Sequence, residues 1–238
     1  MTAARPFADA REIASLIDHT LLKPDATETD IVAVCQQALN SQFASVCINP
    51  FWVPLVHAQL LGSAVRTCSV IGFPLGANRT AIKVQEALLA TTEGASEIDM
   101  VINVGALRSG LADLVGAEIT ELASTVHAAG AILKVIIETC LLTNEQKVEA
   151  CSLVKRAGAD FVKTSTGFST SGATEADISL MRATVGPTLG VKASGGVRTL
   201  DAVTRMVRAG ATRIGTSSGV QILAEFQGQK SAGDGSTY

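Results

Sequence analysis

Four times along the chain the same pair, Gly94-Ala95, Gly130-Ala131, Gly158-Ala159 and Gly210-Ala211, separates an amphipathic stretch from a short β-prone run. Glycine just past a helix takes up the left-handed conformation that ends it, so each pair reads as a helix exit leading into a strand. Eight such runs follow one another, at 16–20, 44–49, 66–73, 97–103, 132–138, 160–164, 190–193 and 212–216. Most are continuous Val- and Ile-rich segments, the pattern of parallel strands buried on both faces. Helix starts are marked as well. Thr27 with Asp30 resembles a capping box, and Ile31, Val34, Cys35 and Ala38 then recur at helical spacing. Thr143 with Gln146 opens another helix in the same way. This alternation predicts an α/β chain, a single (β/α)8 TIM barrel spanning residues 1–238. A helix near 8–16 precedes the first strand and is expected to plug the barrel bottom. The small, polar segment from Gln227 to Tyr238 reads as a flexible C-terminal tail.

Composition narrows the classes of function. Apolar residues make up 47% of the chain and charged residues 17%, which suits a large buried core. A net charge of -3 argues against a broad basic surface for nucleic acid. The most apolar stretch, 128–142, is interrupted by Lys134 and Glu138, so no membrane span is expected. The first residues lack an apolar core of the secretory type. Five cysteines, odd in number and without C-x-x-C spacing, read as reduced thiols in a cytoplasmic protein. Three histidines without an H-x-x-x-H pair give no support to zinc, and neither a metal nor a cofactor is expected. No phosphate-loop or dinucleotide fingerprint is present.

The chemistry is concentrated in three lysines, Lys134, Lys163 and Lys192, placed 29 residues apart in each case, about one βα unit. Each lies in or at the end of a strand-like run, where an exposed-face lysine does not belong. An amine taken out of water beside another cation is more easily deprotonated and becomes a nucleophile for carbonyl carbon. Schiff-base catalysis is one reading; a structural lysine closing a barrel strand is the other. Asp99 interrupts the apolar run Glu97-Ile98-Asp99-Met100-Val101-Ile102-Asn103. It is either a proton-handling carboxylate near the lysines or half of a structural ion pair.

In such barrels, function sits at the carboxyl ends of the strands. Gly195-Gly196 follows the seventh run and Gly215-Thr216-Ser217-Ser218-Gly219 the eighth, where barrels often bind phosphate through backbone N–H groups and a helix N-terminus. Ser217 and Ser218 are candidates for phosphate contact or for plain helix capping. Asp18 and Thr20, around His19, are candidates for substrate hydroxyls, whereas His19 itself suits a local backbone role. Cys47 points either into the barrel or at its rim, and Trp52 reads as packing.

Taken in order, several runs resemble one family, deoxyribose-phosphate aldolase, a class I aldolase. They are Ile17-Asp18-His19-Thr20-Leu21-Leu22, Val46-Cys47-Ile48-Asn49-Pro50, Val70-Ile71-Gly72-Phe73-Pro74-Leu75-Gly76, the Asp99 run, Leu133-Lys134-Val135-Ile136-Ile137-Glu138-Thr139, Phe161-Val162-Lys163-Thr164-Ser165-Thr166-Gly167-Phe168 and Val191-Lys192-Ala193-Ser194-Gly195-Gly196-Val197-Arg198. The resemblance implies deoxyribose phosphate catabolism: reversible cleavage of 2-deoxy-D-ribose 5-phosphate to D-glyceraldehyde 3-phosphate and acetaldehyde. It assigns the Schiff base to Lys163, the neighbouring cation to Lys192 and a proton relay to Asp99. Substrate and phosphate contacts would fall to Asp18, Thr20, Cys47, Thr166, Gly167, Gly195, Gly196, Ser217 and Ser218. Phe168 stands where some relatives place a lysine, which shifts phosphate binding toward amides and hydroxyls. The terminal Tyr238 matches a family habit and would join the relay if the tail reaches the site. A homodimer is compatible with the sequence. Two rivals stand beside this reading: a sugar-phosphate isomerase with a carboxylate base, and a sugar-phosphate sensor without turnover.

Overall fold

The computed structural model describes residues 7–229. Eight parallel strands close into a barrel in chain order. They are β1 (Ile17–Leu21), β2 (Ser45–Ile48), β3 (Arg66–Ile71), β4 (Glu97–Val101), β5 (Ile132–Ile136), β6 (Phe161–Lys163), β7 (Gly190–Ser194) and β8 (Arg213–Thr216). Each lies within or against one of the runs read from the sequence. Several of those runs overshoot: the last residues of the fourth, fifth and sixth leave the sheet and become the loops at the carboxyl face.

Around the barrel run α2 (Glu28–Ser41), α3 (Val53–Leu60), α4 (Thr80–Thr92), α5 (Val104–Arg108), α6 (Ala112–Ala128), α7 (Asn144–Arg156), α8 (Glu175–Val185), α9 (Leu200–Ala209) and α10 (Gly219–Phe226). Both expected capping boxes form, Thr27 with Asp30 on α2 and Thr143 with Gln146 on α7. The four helix-exit glycines all have positive φ, from 74° at Gly130 to 116° at Gly210. One helix was not expected. α5 is a short turn of chain between β4 and α6, started by the Asn103 side chain accepting from the Ala106 N–H. The N-terminal helix is also shorter than expected, α1 (Ala10–Ala14), capped by Asp9. It packs against α10, with Ile13 and Ala14 buried in the main apolar core. The floor of the barrel is held by Arg213, whose side chain is 14% exposed and lies over the Phe161 ring at 5.3 Å.

Strand pleating sends alternate residues to opposite sides of the wall. On β4, Ile98 and Met100 face the helices and are fully buried in the main apolar core, while Glu97 and Asp99 face inward. On β5 and β7, Leu133, Val135, Val191 and Ala193 join the same core, and Lys134 and Lys192 face inward. The main core is therefore the layer between barrel and helices. Among the described residues, no helix is long and apolar enough to cross a membrane.

Candidate active site

The register brings the lysines and Asp99 together. Asp99 pairs with Lys134 across β4 and β5, and Lys163 with Lys192 across β6 and β7. The Asp99 carboxylate is the common centre: Oδ2 lies 2.7 Å from Lys163 Nζ and 2.6 Å from Lys192 Nζ, and Oδ1 lies 2.7 Å from Lys134 Nζ. Below it, Asp18 Oδ2 contacts Lys192 Nζ, and Glu97 Oε2 sits 2.6 Å from Lys134 Nζ. Arg213 joins Asp18 at 2.6 Å and Glu97 at 3.2 Å, and the Ser45 hydroxyl donates to Asp18 at 2.7 Å. All three carboxylates come from β1 and β4; the four buried cations come from β5 through β8.

Burial by itself would push the Asp99 carboxyl up, but Lys134, Lys163 and Lys192 outweigh it and hold Asp99 well below the usual carboxylate range. Burial likewise works against the Lys192 ammonium, and Asp18 with Asp99 overcomes it, so Lys192 stays cationic above the ordinary lysine range. Lys134 is held up in the same sense by Asp18 and Asp99 against the same burial. Inside the barrel four cations face the three carboxylates, and Arg66, half exposed at the start of β3, adds a longer contact to Glu97 at 3.8 Å. Lys163 makes a single carboxylate contact, against two for Lys192 and three for Lys134, and is the amine least committed to ion pairing. It is also the only one of the three with any exposed surface, 3%.

Thr20 and Cys47 face the interior toward the mouth. Thr20 pairs with Cys47 across β1 and β2, and Cys47 with Cys68 across β2 and β3. Cys47 thus points inward, in a small apolar cluster with Leu22, Cys68, Val70 and Phe73. The ligand atoms of Cys47, Cys68 and Asp99 lie within 4.8 Å of one another, a spacing that suits a metal. Lys134 Nζ, however, is 3.2 Å from Cys68 Sγ, and Asp99 already faces three ammoniums, a field that opposes another cation. His19 faces outward, bonded to the Gln37 side chain at 2.7 Å and tilted against Phe43.

At the carboxyl face, Gly167, Gly195 and Gly196 all have φ near +80°, and a Cβ at Gly167 or Gly196 would meet nothing within 4 Å. The backbone there borders open space. The loops after β6 and β7 touch through glycines: a Cβ on Gly172 would lie 2.0 Å from the Gly195 carbonyl oxygen. The Thr216 hydroxyl donates to the Val197 carbonyl at 2.6 Å, which sets the Gly195-Gly196 turn beside Ser217 and Ser218. Ser218 precedes α10 and makes no side-chain capping bond, so plain capping does not account for it. Thr166 is differently placed. Its N–H and hydroxyl both donate to Glu138 Oε2, at 3.2 and 2.5 Å, so its donors are already engaged. Tyr238 lies outside the described residues.

Sequence reasoning did not single out Glu97, Arg213, Cys68 or Glu138. The first three sit two residues from another inward position on their strands, a period-two signal that was available. Glu138 gave no comparable signal. It has φ 55° and ψ 67°, a left-handed conformation that costs a non-glycine residue about 1–3 kcal/mol.

A family model described as DeoC/LacD family aldolase matches residues 13–226. Deoxyribose-phosphate aldolase of Geobacillus sp. (strain WCH70) is 58% identical over 211 residues, 89% of this chain and 94% of the relative. That of Lysinibacillus sphaericus (strain C3-41) is 59% identical over 215 residues, 90% of this chain and 95% of the relative. Among solved structures, a tetrameric deoxyribose phosphate aldolase from Aeropyrum pernix superposes with a TM-score of 0.87 at 34% identity, covering 93% of each chain. Fold and sequence agree over nearly the whole barrel, and the chain belongs to the DeoC/LacD family of aldolases, among its deoxyribose-phosphate aldolases.

Proposed function

We propose that this aldolase reversibly cleaves 2-deoxy-D-ribose 5-phosphate to D-glyceraldehyde 3-phosphate and acetaldehyde through a Schiff base on Lys163. The observation that carries the reading is the Asp99 carboxylate bridging Lys163 and Lys192 at 2.7 and 2.6 Å. Lys163 Nζ attacks C1 of the open-chain sugar, and loss of water gives the iminium. Asp99, passing protons through water, takes the C3 hydroxyl proton. The C2–C3 bond breaks, its electron pair flows into the iminium, and C3 leaves as the aldehyde of glyceraldehyde 3-phosphate. The enamine is protonated at C2 and hydrolysed to acetaldehyde and free Lys163. Lys192 stays charged and favours the uncharged form of the neighbouring amine.

Phosphate contacts fall to the Gly167, Gly195 and Gly196 backbone, the hydroxyls of Ser217 and Ser218 and the N-terminus of α10. Asp18 supports Lys192 from below, while Thr20 and Cys47 border the sugar. Tyr238 remains part of the proposal as an additional proton relay, read by deuterium wash-in to acetaldehyde in Tyr238→Phe. The five cysteines Cys35, Cys47, Cys68, Cys140 and Cys151 are free, which suits a reducing, cytoplasmic compartment. A homodimer is the proposed assembly, and sedimentation velocity reads it. The decisive experiment is borohydride trapping with acetaldehyde followed by peptide mapping. A reduced adduct on the peptide carrying Lys163 is expected; an adduct elsewhere, or none with turnover intact, overturns the mechanism.

A further inference from the structure

Glu138 is a buried carboxylate that the proposed chemistry leaves unused. The backbone on either side of it is stitched to β6: the Ile137 N–H donates to the Lys163 carbonyl at 3.0 Å and the Thr139 N–H to the Thr164 carbonyl at 2.9 Å. Glu138 itself turns left-handed between these two bonds, at φ 55°. Among the described residues, Gln42 is the only other non-glycine residue with positive φ, and it closes α2, where that conformation is ordinary. At Glu138 the turn ends no α-helix. It carries the side chain across the end of β6.

There the carboxylate, 3% exposed, holds Thr166 and also accepts from the Cys140 thiol at 3.9 Å. It accepts from the Thr166 hydroxyl at 2.5 Å and from the Thr166 N–H at 3.2 and 3.4 Å. No lysine, arginine or histidine among the described residues lies within ion-pair distance of it. The Thr166 hydroxyl oxygen in turn accepts from the Phe168 N–H at 3.0 Å. Gly167 is thereby held between two fixed residues, at φ 88°. The chain of bonds runs from Glu138 through Thr166 to the turn that presents the Gly167 N–H.

We propose that Glu138 is a positioning residue for the phosphate-binding turn after β6: its carboxylate holds Thr166, and through Thr166 it aims the Gly167 amide at the substrate's phosphoryl group. This rests on the proposed reading of the site as a phosphate-ester aldolase. Glu138 touches no reacting atom. Its effect falls on recognition of the phosphate rather than on the chemistry at Lys163.

The test compares two substrates, 2-deoxy-D-ribose 5-phosphate and unphosphorylated 2-deoxy-D-ribose, in wild type, Glu138→Gly, Glu138→Gln and Thr166→Val. Glycine removes the carboxylate and adopts the left-handed turn without strain, so Glu138→Gly separates the side chain from the fold. In Glu138→Gly and Thr166→Val, KM for the ester rises about tenfold with kcat changed far less, a loss equivalent to about 1.4 kcal/mol. The ratio of kcat/KM between ester and free sugar falls by the same factor. Glu138→Gln, which keeps one acceptor oxygen for Thr166, restores part of that ratio. Binding of inorganic phosphate, measured by calorimetry, weakens in parallel. Equal losses on both substrates, or an unmoved ratio, overturn the proposal and leave Glu138 a structural residue. If wild type turns over neither sugar, the aldolase reading fails, and phosphate calorimetry alone then decides whether Glu138 positions the turn.

Discussion

The inside of this barrel and the layer just outside it are built from alternate residues of the same strands, yet they are held together by opposite means. Outside, Ile98, Met100, Val135 and Val191 pack against helices in a continuous apolar core. Each buried side chain of that kind stabilises by about 1.5–3 kcal/mol, with no requirement on where its partners' charges lie. Inside, Asp99, Lys134, Lys163 and Lys192 have left water at a cost that only mutual pairing offsets. The outer layer tolerates many shapes. The inner one works only as a set, because losing one charge strands the others.

That contrast can be broken most sharply at Lys163. Lys163→Arg keeps a cation on Asp99 but removes the nucleophile, since guanidinium does not deprotonate near neutral pH. Cleavage should fall by about 10⁴-fold or more, with a melting temperature near that of wild type. Near-normal turnover would mean that Lys163 is not the nucleophile.

Asp99→Asn should strike both functions at once. Three ammoniums share this carboxylate, so its neutralisation should lower kcat by about 10²–10⁴-fold. It should also destabilise by about 3–5 kcal/mol in urea unfolding. The three-way sharing is what ties stability to the reaction at this residue. The adjacent Ile98→Ala should lose about 2–5 kcal/mol while kcat per folded molecule stays within a few-fold. If Ile98→Ala instead abolished turnover at full folding, the two sides of β4 would not be independent.

Lys192→Met should cost less than the loss of Lys163 and should move the rising limb of the pH–rate profile to higher pH, because a cation sharing Asp99 has been removed. Lower activity with an unmoved profile would assign Lys192 to positioning. The smallest effect belongs to His19, on the outer side of β1. Burial pushes its imidazole down from the usual 6.5. The unfolded chain therefore takes up the proton first as pH falls, and stability present above about 6.5 is lost below it. His19→Gln should flatten the melting temperature between pH 7 and 5, each kilocalorie amounting to about 2–4 °C. Asp18 and Asp99 add no slope in that window. Asp18 and Asp99 are held low by the lysines against burial, so their contribution is lost only in strong acid.

Much of the outer layer was legible in the sequence because its signals are local: Val/Ile runs, capping boxes at Thr27 and Thr143, and glycines at helix exits. The lysines were legible because a cation in an apolar run stands out. Their partners were harder to see. Arg213 meets Asp18 across 195 residues of chain, and Lys163 meets Asp99 across 64. Only barrel closure makes them neighbours. Overshooting strand ends had a related cause, since β-prone residues continue past the point where the sheet stops and the loop chemistry begins. The left-handed turn at Glu138 has no sequence mark, because it is imposed by bonds to β6 and Thr166.

The division of charge inside the barrel has a consequence for how the chain could be taken apart. A fragment ending with α6 would carry the three carboxylates Asp18, Glu97 and Asp99 without the lysines they face. A fragment starting at β5 would carry Lys134, Lys163, Lys192 and Arg213 without their counter-ions. Closing either half against a copy of itself would press like charges together in a dry interior. Closing one half against the other would pair them. Cut between Ala128 and Ile132, the chain would become two pieces that select each other and refuse themselves.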